Sequence, residues 1–484
     1  MHVGGAAARR LLDLLRQVLG GAERTRVVVV LAAVLGLSGA DVATVGASAT
    51  ELRGALHIGN TQLGLLIAVS SLVGSAASLP FGVLADRVTR TRVLAAAIVL
   101  WAVAMIWSAA AASFDELLLA RVFLGAVTAA AGPNVASLVG DYFAAAERGR
   151  IYGFVLAGEL LGSGIGFAVT GDIAALSWRA AFVSLAMPAF VLAWFVFRLP
   201  EPDRGGSAAL PAEGERQTAA VENEPHGTDA QRLARERGIS AEDGAAFEGD
   251  LEGMNLWQAV RVVLRVRTNL VLIAASACGY YFLAGVQTFG IEFAKEQYRV
   301  GQAVANVMLL IVGAGAVVGV LAGGQVGDML VRRGVLNGRM ITGVVVAAAT
   351  SALFVPAILT RSATAALPYL IFAALFLSAQ NPPLDAARLD IMPAPLWGRA
   401  ESIRTLLRSL AQALAPVLFG AVSEYVFGGG RTGLRWTFIV MLLPLAGSAL
   451  LLARGLFTYP KDVAAAAAAG RLRAAGRGTQ RETS

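Results

Sequence analysis

Asp41 and Glu159 are the residues of this sequence best placed to do chemistry. Each is a carboxylate inside a long apolar run, about sixteen and nine residues from its start. At about 1.5 Å of rise per residue, both would lie well inside a bilayer if those runs are membrane helices. Low-dielectric surroundings disfavour the charged form, so a carboxylate at that depth can take up and release a proton. The bland alternative is a structural hydrogen bond to a neighbouring Ser, Thr or backbone carbonyl. Arg121, at the outer end of another run, either reaches inward to pair with Asp41 or snorkels to the outer surface. The three histidines, His2, His57 and His226, fall outside the apolar runs, so no histidine pair can hold a metal within them. The only lysines, Lys295 and Lys461, sit in no phosphate-cradling Gly-Lys-Ser or Gly-Lys-Thr loop. We expect no enzymatic activity, no cofactor and no bound metal.

The elements that must position these acids are membrane helices. The chain has 484 residues, 56% hydrophobic and 15% charged, with a mean hydropathy of +0.65. Apolar runs near 20 residues recur along most of its length, which predicts an all-α polytopic membrane protein. The short alternating segments of a β-barrel are not seen. We read twelve spans, at 25–49, 61–83, 93–112, 117–140, 150–170, 179–198, 268–290, 303–326, 339–360, 367–388, 402–427 and 435–456. Of the 40 Lys and Arg, eight fall in one set of alternate loops and 32 in the other set, its tails and adjoining helix ends. That asymmetry explains the net charge of +7 without nucleic acid and places both termini in the cytoplasm. The lone Cys278 allows no intrachain disulfide.

Internal matches divide the spans into two sets of six. Gly82–Arg92 reads GVLADRVTRTR and Gly323–Arg333 reads GGQVGDMLVRR. In each, a Gly precedes the Asp by four residues (Gly82 and Asp86, Gly324 and Asp328), and an Arg follows by four (Arg90, Arg332). Asp141 and Asp390 end the fourth and tenth spans. Each is preceded by a Pro at eight residues (Pro133, Pro382) and followed by a Gly-Arg pair ending at Arg150 and Arg399. The sixth span opens with Trp178-Arg179 and the twelfth with Arg435-Trp436.

We expect residues 1–24 to be a cytoplasmic amphipathic segment, with Arg9–Leu19 a surface helix. Residues 25–198 form one bundle and 268–456 the other. Between them, 199–254 reads as a mostly disordered cytoplasmic linker: 201–252 carries 13 Asp and Glu against five Arg and has no apolar period. An interfacial helix follows at 255–267, and residues 457–484 form a cytoplasmic tail, loose at its end.

Twelve spans, two halves, a long central linker and paired Gly-x-x-x-Asp loops resemble the major facilitator superfamily. The nearest branch is the spinster-like transporters, on Asp41, Gln62-Leu63-Gly64-Leu65-Leu66, Leu84-Ala85-Asp86-Arg87, and Arg121 with Gly125 and Pro133. Two positions depart from that branch: Val42 where it has Arg, and Thr128 where it has the Glu tied to coupling. The resemblance implies two six-helix bundles that expose a central cavity alternately to each side. It implies that Asp86, with Arg87 beside it, accepts hydrogen bonds at the start of the eleventh span near Ala400–Ile403, and that Arg90 pairs with Asp141. It also implies a mirror latch of Asp328, Arg332 and Asp390 near Arg150. The alternative is that these loop charges only set topology.

The expected function is secondary transport of a small organic or amphiphilic molecule across the inner membrane, with a lysolipid-like cargo as the candidate that the branch suggests. Proton coupling is expected to run through Asp41, with Glu159 second. The partners are that substrate, protons and membrane lipids, and the chain is expected to act as a monomer. A proton-driven drug exporter and a non-transporting membrane sensor are the alternatives. The Gly-Pro pair that drug antiporters carry in the fifth span is absent, and in its place stand Gly158, Gly162, Gly164 and Gly166. Small residues there serve either close packing alone or helix sliding.

Overall fold

A computed structural model describes residues 16–17, 19–85, 88–143, 148–202, 228–240, 254, 256–393 and 396–482. Most of the N-terminal surface helix and most of the acidic linker lie outside the described residues. The chain divides into two compact units. One is Met1–Glu222 with Gln287–Glu292 and Gln302–Asn306, and the other is Asn223–Val286, Phe293–Gly301 and Val307–Ser484. Among the described residues, twelve helical stretches are long and apolar enough to cross a membrane.

The first unit contains α1 (Ala22–Ala47), the short α2 (Ala49–Leu56), α3 (Asn60–Ala85), α4 (Arg90–Ala110), α5 (Phe114–Thr128), α6 (Ala131–Tyr142), α7 (Arg148–Leu176) and α8 (Trp178–Phe197). Serines start two of these helices. Ser113 accepts from the amide of Glu116 and Ser177 from that of Ala180, satisfying donors that the first turn leaves open. The expected fourth span is broken into α5 and α6 at Ala129-Ala130. Pro133 has no N–H, and its ring crowds the carbonyl four residues back, at Ala129.

Glycine sets the packing of α1 on α7. A Cβ on Gly158 would collide with Ala32, one on Gly162 with the backbone of Gly36, and one on Gly166 with Ala40. These positions recur every four residues on both helices, so the two backbones meet along one ridge. Gly125 does the same for α5, which lies against the Ser70 backbone of α3.

The second unit contains α9 (Asp229–Glu236), α10 (Leu256–Arg265), α11 (Arg267–Tyr298) and α12 (Gln302–Arg332) apart from the stretches of these two that belong to the first unit, α13 (Gly338–Leu359), α14 (Ala363–Ala379), α15 (Asn381–Ile391), α16 (Trp397–Ala421, extended by a π turn at Val422–Val426) and α17 (Gly430–Glu482). The tenth span breaks at Gln380, beside Pro382 and Pro383, as the fourth does. An aromatic cluster fills the core, with Phe282 against Phe354 at 4.9 Å and Phe419 against Phe438 at 5.4 Å between centroids.

Two findings differ from the expected boundaries. The linker holds an ordered helix, α9, started by a capping box of Thr228 and Gln231. Its Ala230 and Ala234 are fully buried in a cluster with Met340, Leu384, Ile391 and Tyr459. The helix has only three apolar residues, Ala230, Leu233 and Ala234, too few to stand out in an acidic segment. The last helix does not stop at 456 but continues to Glu482. Its Ala-rich continuation is a strong helix former, and Tyr459 and Val463 pack in the same cluster.

Candidate transport site

The centre of the first unit holds a buried ion pair. Arg121 Nη1 donates to Asp41 Oδ1 at 2.8 Å and Nη2 to Oδ2 at 3.2 Å, a two-pronged contact in which both residues are at most 4% exposed. Asp41 comes from α1, whose backbone is fixed by the glycine ridge. Arg121 comes from α5, held against α3 at Gly125 and by a hydrogen bond from Ser70 to the Arg121 carbonyl at 3.1 Å. Arg121 Nε is buried and has no hydrogen-bond partner among the described residues. Glu159 is exposed on α7, and among the described residues the guanidinium that bridges Asp41 is that of Arg121.

Thr128 ends α5, its hydroxyl donating to the Gly125 carbonyl at 3.0 Å. It lines a small cleft of about 30 Å³ with Ser38 and Trp101, room for about one or two waters. Arg53 pairs with Glu292, which is 1% exposed. A carboxylate so near a span end reads from sequence as solvated, but Arg53 and the packing around it enclose it.

At the expected cytoplasmic end of this unit, Arg90 opens α4 and is 1% exposed. It pairs with Asp141 of α6 and, at 2.8 Å, with Glu201, and it donates to Ser137 Oγ at 2.8 Å. Glu201 also accepts from the Arg90 and Thr91 amides at 3.1 and 2.9 Å, capping α4 where the helix dipole favours an anion. Burial works against its charge. The Thr91 amide, the Arg90 guanidinium and the Thr91 hydroxyl outweigh it and hold the Glu201 carboxyl below the usual carboxylate range. Gly82 lies in α3, whereas Asp86 and Arg87 lie outside the described residues. Arg150 and Arg399 lie in α7 and α16.

The second unit has a corresponding cluster, with one correction. Arg332 is exposed in the last turn of α12. The partner of both aspartates is Arg339, which opens α13: it donates to Asp328 at 2.8 and 3.0 Å and pairs with Asp390. Matching on Arg four residues after the Asp selected the wrong side chain. An Arg that opens a helix 51 residues before the span-ending Asp would have found both partners, since that separation holds for Arg90–Asp141 and Arg339–Asp390 alike. Gly324, one helical turn before Asp328, packs against Pro382. Asp390 is fully buried, and accepts from the Tyr459 hydroxyl, while its carbonyl accepts from Gln231 of α9 at 2.9 Å.

A third group was missed altogether. Arg404 and Arg408, on one face of α16, were counted among the topology-setting charges. Arg404 is 5% exposed, bonded to Asp385 at 2.7 Å and to Ser276 at 3.3 Å. Arg408 stands 4.4 Å over the ring of Tyr280. Among the described residues no group of three His, Cys, Asp or Glu could hold a metal.

A family model described as Major Facilitator Superfamily matches residues 31–384, and the chain belongs to that family. It is 29% identical over 163 residues to a probable L-galactonate transporter of Escherichia coli, covering 32% of this chain and 35% of that protein. It is likewise 29% identical over 181 residues to a 4-hydroxybenzoate transporter of Pseudomonas aeruginosa, covering 37% and 40%. The matched stretch thus spans well under half of either relative. In fold it is similar to a bacterial homolog of the human lysosomal transporter spinster, solved in an inward-facing, unoccupied conformation. The TM-score is 0.72 at 19% identity, over 91% of this chain and 98% of that one.

Proposed function

We propose that this chain is a secondary transporter that moves a small organic molecule across the inner membrane by alternating access, coupled to protons through Asp41. The Lys and Arg asymmetry supports cytoplasmic termini. The observation that carries the coupling is the buried Asp41–Arg121 pair. Each partner neutralises the other at a depth where a lone charge is costly. A proton on Asp41 removes the charge that holds Arg121, and the guanidinium must then find another anion or water. Proton and pair are mutually exclusive, which is the requirement of a coupling site. The Arg90–Asp141–Glu201 and Asp328–Arg339–Asp390 groups, with Gly82, Asp86 and Arg87, act as cytoplasmic gating elements in this reading.

The test uses purified protein in liposomes with an imposed pH gradient and a panel of carboxylates, sugars and lysolipids. At least one compound should accumulate. Asp41→Asn should abolish gradient-driven accumulation yet keep part of the exchange seen without a gradient, with Glu159→Gln close to wild type in both. Full accumulation by the Asp41 variant would overturn the assignment.

A further inference from the structure

Arg408 lies in an apolar span that begins at Ile403, about 7 Å along the helix from that residue. A guanidinium inside a span needs a partner or a purpose. The partner of Arg408 is not a carboxylate: its guanidinium lies over the Tyr280 ring, and its Nε is buried without a hydrogen bond among the described residues. Tyr280 is about 20 Å along α11 from Arg267, near the middle of that helix. The neighbouring groups are polar and prearranged. Asp385 and the Ser276 hydroxyl hold Arg404, one turn before Arg408, and Ser276 donates to Asn381 at 3.0 Å. Gln380, fully buried at the α14–α15 break, donates to the Ala275 carbonyl at 3.2 Å.

The two arginines therefore differ in kind. Arg404 is fixed by its own carboxylate and braces the site. Arg408 is oriented by a ring face, which leaves the edge of its planar fork, where the N–H groups point, for a ligand. From this geometry we infer that Arg408 and Tyr280, braced by Arg404 and Asp385, form a carboxylate-binding site, and that the transported molecule is an organic anion. This deepens the proposed transport function and rests on it for the word transported. The binding site itself stands on the second unit's own geometry. A carboxylate matches the fork with two parallel hydrogen bonds, and the partial burial of the Arg408 guanidinium raises their strength. A lipid phosphate headgroup shares the anionic chemistry, but the polar Ser276, Asn381 and Gln380 around Arg404 and Ala275, one turn away along α16 and α11, suit a compact hydroxylated acid better than an acyl tail.

The experiment is calorimetric titration of the purified full-length protein with D-gluconate, 4-hydroxybenzoate and succinate. The neutral 4-hydroxybenzamide and 1-oleoyl-lysophosphatidylglycerol are titrated in parallel. At least one carboxylate should bind the wild type and the amide should not. Arg408→Gln should weaken that binding about tenfold or more, and Arg408→Lys should restore only part, because an ammonium lacks the fork. Tyr280→Phe keeps the ring and should bind within about twofold. Unchanged affinity in Arg408→Gln, absence of any carboxylate binding, or binding of the lysolipid alone would each overturn the site. Titration of Asp41→Asn separates this from the coupling role. If it binds carboxylate normally, its loss of gradient-driven accumulation belongs to coupling, and a wild type that binds carboxylate but accumulates none counts against transport and not against the anion site.

Discussion

Arg90 and Arg339 each open a helix and each hold an aspartate 51 residues further on, but the two clusters close differently. In the first unit the third member is Glu201, 27% exposed, which arrives just past the last helix of the bundle. In the second unit the third members are Tyr459, fully buried, and the linker helix α9, whose Gln231 bonds the Asp390 backbone. Asp141 keeps 15% of its side chain exposed, and Asp390 keeps none. The aspartate thus sits partly in water's reach in one half and under a protein lid in the other, while the arginines go the other way, Arg90 being 2% and Arg339 11% exposed. An inherited interaction can persist in geometry while its energetic weight is reset by what is laid over it.

The largest test of this contrast is the removal of each arginine. Arg339→Ala leaves the Asp390 carboxylate buried without its cation, and should cost about 3–5 kcal/mol of stability. Arg90→Ala leaves carboxylates that water can reach, and should cost about 1–3 kcal/mol. Thermal unfolding in detergent ranks the two, and equal losses would mean that the lid over Asp390 has no energetic consequence. A smaller effect is expected from deleting α9. Removing 228–239 takes Ala230, Leu233 and Ala234 out of the cluster they share with Met340, Leu384 and Ile391 and removes the Gln231 hydrogen bond, for about 1–2 kcal/mol. Removing 205–226 instead should leave both stability and flux close to wild type. Similar losses from both deletions would show that α9 contributes no more than the acidic stretch before it.

The smallest effect concerns acid. The folded Glu201 carboxyl is held below its usual range, so its contribution is present above the unfolded value and fades as pH falls through the folded one. Its partial exposure limits that contribution to under about 1 kcal/mol. The wild type should therefore lose slightly more stability on acidification than Glu201→Gln. A Gln variant with the same acid limb would remove Glu201 from the account.

Much of the fold was legible because length and hydrophobicity alone decide what can cross a bilayer. The matched prolines also announced both broken spans, although the sequence did not say that they break the helix. The site was less legible, for reasons that differ by residue. Asp41 showed because a charge in an apolar run is conspicuous, and Arg121 because it was close enough to reach. Arg339 was hidden by Arg332, which satisfied a local spacing that the structure does not use. Glu201 merged into an acidic linker, and its capping role depends on a fold-back contact with α4 that no local pattern encodes. Arg404 and Arg408 looked like loop charges because a positive residue near a span end has two readings, and only packing against α11 and α15 separates them.

The ridge where α1 meets α7 has a mechanical consequence. Backbone lies on backbone at Gly36 and Gly162, with no side chain between to change rotamer and absorb displacement. The pair behaves as a stiff double rod, and Asp41 is mounted on it one turn beyond. In the proposed coupling, discharge of Asp41 finds no local give in α1, so the compliant parts are the guanidinium arm of Arg121 and α5, which carries it and ends at the Ala129-Ala130 break.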